Sequence, residues 1–102
     1  MKRHEIIDQR SLALARAVVA HIERDLARAG VRHAQRVCAR WLTLSSCPTV
    51  AEWAALLEDS WPRIRSRLLE ESEDGQRLRQ SSPFCSVLRP QERLAIYRTY
   101  RA

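Results

Sequence analysis

The sequence predicts an all-α fold: a single compact bundle of about five to six helices, with an N-terminal helical hairpin followed by shorter C-terminal helices. Three observations lead there. Glycine occurs only at Gly30 and Gly75. Leu, Ala, Arg and Glu outnumber Val and Ile, and they lose little rotamer freedom in a helix. The apolar residues recur every three to four positions, the period of a helix with one buried face. At 102 residues the chain, 1–102, forms one domain, able to bury somewhat more than half of its unfolded surface and too short for two cores.

The first helix is expected from Asp8 to Ala29, where Leu14, Ala15, Val18, Val19, Ile22 and Leu26 form one stripe and Gly30 stands in the position of a C-terminal cap. The second, Val31 to Leu44, carries Val31, Ala34, Val37, Cys38, Trp41 and Leu42 on its apolar face. The break between them is so short that the chain must double back or bend sharply, and a hairpin is the reading adopted. Cys47 before Pro48 disfavours helix, and Thr49 with Glu52 has capping-box spacing, so a third helix is expected from Val50 with Val50, Trp53, Ala54 and Leu57 inward. Ser60 with Pro62 marks a fourth start, bearing Trp61, Ile64 and Leu68.

Glu70 to Asp74 ends that apolar pattern, and a short helical turn is expected around Gln76 to Gln80. The stretch QSSPFCSVLRPQERLAIYRTY, residues 80 to 100, then makes a joint. Ser82 can cap, Pro83 can start a turn holding Phe84, Val87 and Leu88, and Pro90 opens a last helix reaching about Tyr100. The three tryptophans sit on apolar stripes and read as core or interface anchors.

Several function classes are excluded by pattern. No apolar run approaches the roughly 20 residues of a membrane span, and MKRHEIIDQR lacks the apolar stretch of a secretory signal. A soluble, unprocessed, cytoplasmic protein is expected. Cys38, Cys47 and Cys85 are odd in number and lack CxxC spacing, as in reduced cytosolic thiols. With His4, His21 and His33 they show no zinc-ligand spacing, so neither metal nor cofactor is expected. There is no nucleophile elbow, glycine-rich phosphate loop, HExxH or paired-carboxylate motif, and the chain is not expected to be an enzyme. The ESED run at 71 to 74 reads as a solvated helix end.

Charge is unevenly distributed. Basic residues outnumber acidic ones nine to four over residues 1–40 and six to one over residues 75–102, while residues 41–74 reverse the balance at three to seven. Of 18 basic residues 17 are arginine, whose planar fork binds carboxylate or phosphate in two-point fashion. Arg32, Arg36 and Arg40 recur every four residues opposite Val37 and Trp41, and Arg24 and Arg28 oppose the first stripe. Together they form a ridge that reads either as a solvated face or as a nucleic-acid-binding surface.

On a helix over residues 90–100, Leu94, Ile96, Tyr97 and Tyr100 share one side and Arg93 sits in its middle. Arg93 either pairs within the chain, with Glu73 or Asp74 as candidates, or belongs to a partner-binding face made by Arg77, Arg79, Phe84, Val87, Leu88, Arg93, Tyr97 and Tyr100. Arginine and aromatic residues dominate binding hot spots.

DQRSLAL from Asp8, AEW from Ala51, RLRQSSPF from Arg77 and VLRPQERLAIY ending at Tyr97 resemble a group of small bacterial all-helical proteins. Those proteins have an RSLxL start, an EW in the third helix and a C-terminal LRQSSPFxxVLxPxERxxIY motif. Their members are mostly without assigned function and are often encoded beside nucleotidyltransferase-like genes in pairs that resemble toxin–antitoxin modules. The resemblance covers most of the chain, departs from the group at RIRSR (63 to 67), and implies an antitoxin-like companion rather than a catalyst. The expected function is a helical protein-interaction module that neutralises or regulates a second protein, such as a nucleotidyltransferase-type toxin. The alternative is a nucleic-acid-binding protein using the arginine ridge.

Overall fold

The computed structural model describes residues 2–101, with Cys85 described through its backbone. Six α-helices and one 3-10 turn follow in order: α1 Arg3–Glu23, α2 Ala29–Leu44, α3 Pro48–Leu56, α4 Trp61–Leu68, α5 Glu73–Gln80, the turn Cys85–Val87 and α6 Pro90–Thr99. No strand occurs among the described residues, and the all-α bundle expected from the sequence is the fold. Among the described residues no helix is long and apolar enough to cross a membrane.

The first helix is α1, and it starts earlier and ends earlier than the apolar stripe suggests. At its start the Glu5 carboxylate accepts from the Lys2 backbone N–H at 3.2 Å, satisfying a donor that the first turn leaves unpaired. Leu12, Ala15, Val18, Val19 and Ile22 are buried, but Leu26 is 97% exposed, because the helix has already stopped. The stop is made by Asp25, whose carboxylate accepts from the Ala27 and Ala29 N–H groups at 3.0 and 2.9 Å, and by Arg28 in the left-handed region at φ 53°. An aspartate bonding the backbone two residues on is a turn former, and here it overrides helical periodicity.

Gly30 is therefore not a C-terminal cap: it lies in the first turn of α2. Its role is close approach. A Cβ there would stand 2.8 Å from Ile22 Cγ1.

Pro48 occupies the first turn of α3, which sets the start two residues before Val50 and deprives Thr49 of the capping position. Thr49 Oγ1 and the Glu52 carboxylate both receive the Arg77 guanidinium instead, at 3.3 and 3.0 Å. Ser60 precedes α4 as expected. Ser72 caps α5, its hydroxyl accepting from Gly75 N–H at 3.0 Å. Gly75 is obligatory there, because a Cβ would fall 2.1 Å from the Glu70 carbonyl oxygen.

One hydrophobic cluster holds these elements together, drawn from α1 to α5 and from Phe84 and Leu88 of the joint. α2, α4, α5, α6 and the 3-10 turn all pack on α1, while α2 packs most extensively on α3. At the centre Trp53 and Phe84 are fully buried and meet edge to face with ring centroids 5.8 Å apart, and the Trp53 indole N–H donates to the Leu78 carbonyl at 2.8 Å. Of the other tryptophans read as core or interface anchors, Trp61 is partly buried and Trp41 is 37% exposed, so Trp53 alone is a fully buried core residue. The joint is a core element: Ser82 Oγ accepts from Phe84 N–H at 3.2 Å and aims the ring inward.

Candidate binding face around the last helix

α6 is the least embedded helix and contains no buried residue. Pro90 in its first turn fixes its start, and the Glu92 carboxylate accepts from the Arg89 N–H at 3.0 Å. Two contacts hold it against α1. His21 Nε2 lies 3.3 Å from Glu92 Oε1, and the Arg10 guanidinium sits over the Tyr97 ring, 4.5 Å from its centroid. The Arg89 N–H first, then His21, hold the Glu92 carboxyl below its ordinary range. Ile96 is the side chain of α6 that reaches the core cluster. Leu94 and Tyr97 remain 49% and 44% exposed.

Between α1 and α6 lies a cavity of about 320 Å³. Leu14 and Val18 form one wall, Leu94 and Tyr97 the other, and Leu68 and Leu88 close it from the core side. Arg79 and Arg93 also line it.

These two arginines are in opposite situations. The Arg79 side chain is only 3% exposed, and four of its five guanidinium N–H donors are bonded within the chain. It donates to Asp8 Oδ1 at 3.2 Å, to Ser11 Oγ at 3.1 Å, and to the Leu68 and Glu70 carbonyls at 3.3 and 2.6 Å. Those carbonyls belong to the last turn of α4 and its exit, where backbone acceptors lack intrahelical partners. Arg93 is half-buried, and no carboxylate among the described residues lies within ion-pair distance of it. Its candidate partner Asp74 is instead held by Arg67 at 2.7 Å and Arg77 at 2.6 Å. Among the described residues Glu73 makes no ion pair either.

The proposed partner face is thus redistributed. Arg93 and Tyr97 border the cavity, and Arg79 and Leu88 line it from within. Phe84 is 0% exposed and cannot meet a partner docked on the folded chain, and Arg79 is spent on internal bonds. Val87 is partly buried and lines a different cleft, with His21, Gly30 and His33. Tyr100 is partly buried just beyond α6. Arg77 lies in a separate exposed network with Glu52 and Asp74. In that network Arg67, then Arg77, hold the Asp74 carboxyl below its usual range, while the Ser72 hydroxyl and Arg67 do the same for Glu70. Three of the seven acidic residues in the middle segment are neutralised this way. The ESED run is therefore partly tied down, through Asp74 and the Ser72 cap.

The buried arginine was detectable in principle. Gly75, Leu78 and Arg79 are the buried positions of α5 and follow helical spacing, so Arg79 continues an apolar stripe.

The arginine ridge is discontinuous. Arg28 lies outside both helix interiors, at the left-handed N-cap of α2 and not on α1. It donates to the Ile22 and Asp25 carbonyls at 3.1 and 3.3 Å and covers the Trp61 ring, 5.7 Å from the centroid. Arg32 donates to the Ala27 carbonyl at 2.6 Å. Arg24 is exposed at the end of α1. Arg36 and Arg40 are exposed one turn apart on α2, with no carboxylate among the described residues in ion-pair reach.

His33 Nε2 and Ser86 Oγ are hydrogen-bonded and tie α2 to the 3-10 turn. No carboxylate among the described residues accepts from the other nitrogen of that ring. Burial pushes the Cys38 thiol up, away from reactivity.

No family model, curated protein or solved structure matches the chain.

Proposed function

We propose that the chain is a helical interaction module that docks on a second protein through α6. The reading rests above all on Arg93: a guanidinium with no carboxylate of the described residues in reach, flanked by half-exposed Leu94 and Tyr97, on a helix with no buried residue. Such a group favours a surface that supplies the missing anion and covers the neighbouring apolar atoms. The C-terminal motif adds the kind of partner, a nucleotidyltransferase-type toxin whose active cleft α6 would occlude as an antitoxin does. The test is co-expression of the tagged chain with a nucleotidyltransferase from the same genome, followed by nuclease treatment and size-exclusion chromatography. A stoichiometric complex that Arg93→Glu disrupts, with helicity retained, is expected. Unchanged affinity in the folded Arg93→Glu variant would overturn the reading.

A second reading has its own observation. Arg36 and Arg40 project from one face of α2, with no carboxylate of the described residues in ion-pair reach, close in sequence to the partly exposed Trp41. That combination suits a phosphate backbone. It predicts nucleic-acid binding that falls steeply with salt.

A further inference from the structure

The cavity between α1 and α6 carries a chemical preference of its own. Its 320 Å³ is at the small end of pockets that hold organic ligands, and its walls are hydrocarbon from Leu14, Val18, Leu68, Leu88 and Leu94. The charged side chains lining it are both cationic. Arg79 spends four of its five N–H donors on Asp8, Ser11 and two carbonyls, and the Asp8 carboxylate offsets its charge, so it does not offer its fork to a ligand. Arg93 lines the same space and keeps its fork unclaimed by any carboxylate of the described residues.

Water wets such walls poorly, and an alkyl chain lying against them removes apolar surface from solvent at about 25 cal/mol per Å². A carboxylate at the end of that chain can take two parallel N–H bonds from one guanidinium. A cationic head would face the like charge of Arg93. A neutral head would leave Arg93 without its counter-charge.

We propose that this cavity is a binding site for a medium-chain carboxylate, with its tail between α1 and α6 and its head on Arg93. The site requires only this chain, so it stands or falls independently of the docking reading for α6.

The experiment titrates the isolated full-length chain with decanoate, below its micellar range, by amide NMR and calorimetry. Parallel titrations use decyltrimethylammonium, which has the same tail and opposite charge, and acetate, which has the head without the tail. Saturable decanoate shifts along α1 and α6, absent with acetate and at least about tenfold weaker with decyltrimethylammonium, are expected. Arg93→Gln should weaken decanoate about tenfold or more while Arg93→Lys recovers part of the loss. Leu94→Trp, placed on an exposed position so that the fold is kept, should fill the space and block binding. Equal binding of the two decyl compounds, decanoate shifts unaltered by Arg93→Gln in the folded protein, or no saturable shift at all would each overturn the proposal.

Discussion

Arg79 on α5 and Asp8 on α1 are 71 residues apart in sequence and 3.2 Å apart in space, and the guanidinium between them also closes the end of α4. One side chain thus fastens three helices. Removing it would strand the buried Leu68 carbonyl, at about 1–3 kcal/mol, and leave the part-buried Glu70 carbonyl unpaired at a smaller cost. Arg79→Met is accordingly expected to destabilise the fold by about 3 kcal/mol, read as a shift in the urea midpoint. Asp8→Asn should cost under about 1 kcal/mol, since Asp8 is 42% exposed and the remaining bonds of Arg79 survive. Equal effects of the two variants would mean that the ion pair, and not the carbonyl bonds, is the fastening.

The glycines make a second comparison. Alanine favours helix over glycine by about 1 kcal/mol, so a gain is expected where space permits. At Gly75 the new Cβ would meet backbone, the Glu70 carbonyl oxygen at 2.1 Å; at Gly30 it would meet the Ile22 side chain at 2.8 Å. Backbone cannot rotate away as a side chain can. Gly75→Ala should lower stability by about 1–3 kcal/mol, and Gly30→Ala should cost less. Thermal melts of the two variants check the order.

The joint and the last helix separate in the same way. Phe84 is 0% exposed against Trp53, whereas Leu94 on α6 is 49% exposed. Phe84→Ala should cost about 3–5 kcal/mol in chemical denaturation. Leu94→Ala should change stability by under about 1 kcal/mol and act on whatever binds at α6. A large loss from Leu94→Ala would make α6 part of the core and remove it as a binding face.

Acid should unfold the protein through its paired carboxylates. Asp74, Glu70, Glu92 and Asp25 all have folded values lowered by hydrogen bonds and by nearby arginines, with His21 adding to the effect on Glu92. For a lowered group the unfolded chain takes up its proton first. Its stabilisation is therefore complete above the ordinary carboxylate range, about pH 4 to 5, and is lost as pH falls through the folded value. All four are solvent-accessible, so the effect should shrink at high salt. Urea midpoints between pH 5.5 and pH 2.5 should fall, with a shallower fall in Asp74→Asn. An identical slope in that variant would exclude the Arg67–Asp74–Arg77 contacts as a source.

Helix number and most inward faces follow from periodicity because they depend on local spacing, and Val18, Ile22, Trp53, Ile64 and Leu68 are buried as their stripes require. Boundaries follow from competing hydrogen bonds, which periodicity does not carry. Leu26 continues the stripe of α1, yet the Asp25 carboxylate captures the amides that would have extended the helix. Thr49 and Glu52 have the spacing of a capping box, yet Pro48 starts the helix first and Arg77 takes both side chains. The site was half legible. Arg93 on an apolar helical face was visible, but which arginine the fold consumes is decided by the exit of α4, through contacts distant in sequence.

Salt dependence discriminates the two binding readings. Each phosphate neutralised contributes about 0.9 to the slope of log K against log salt on duplex DNA. If Arg36 and Arg40 each contact a phosphate, the double variant Arg36→Glu, Arg40→Glu should weaken nucleic-acid binding and reduce that slope by about 2. Arg93→Glu should leave the slope alone. Docking of a protein on α6 should respond oppositely, losing a few kcal/mol with Arg93→Glu and little with the α2 pair. Fluorescence anisotropy on a labelled duplex across 50 to 300 mM salt, beside calorimetry with the co-expressed partner, reads both. A slope change from Arg93→Glu would place phosphate, and not a protein carboxylate, against α6.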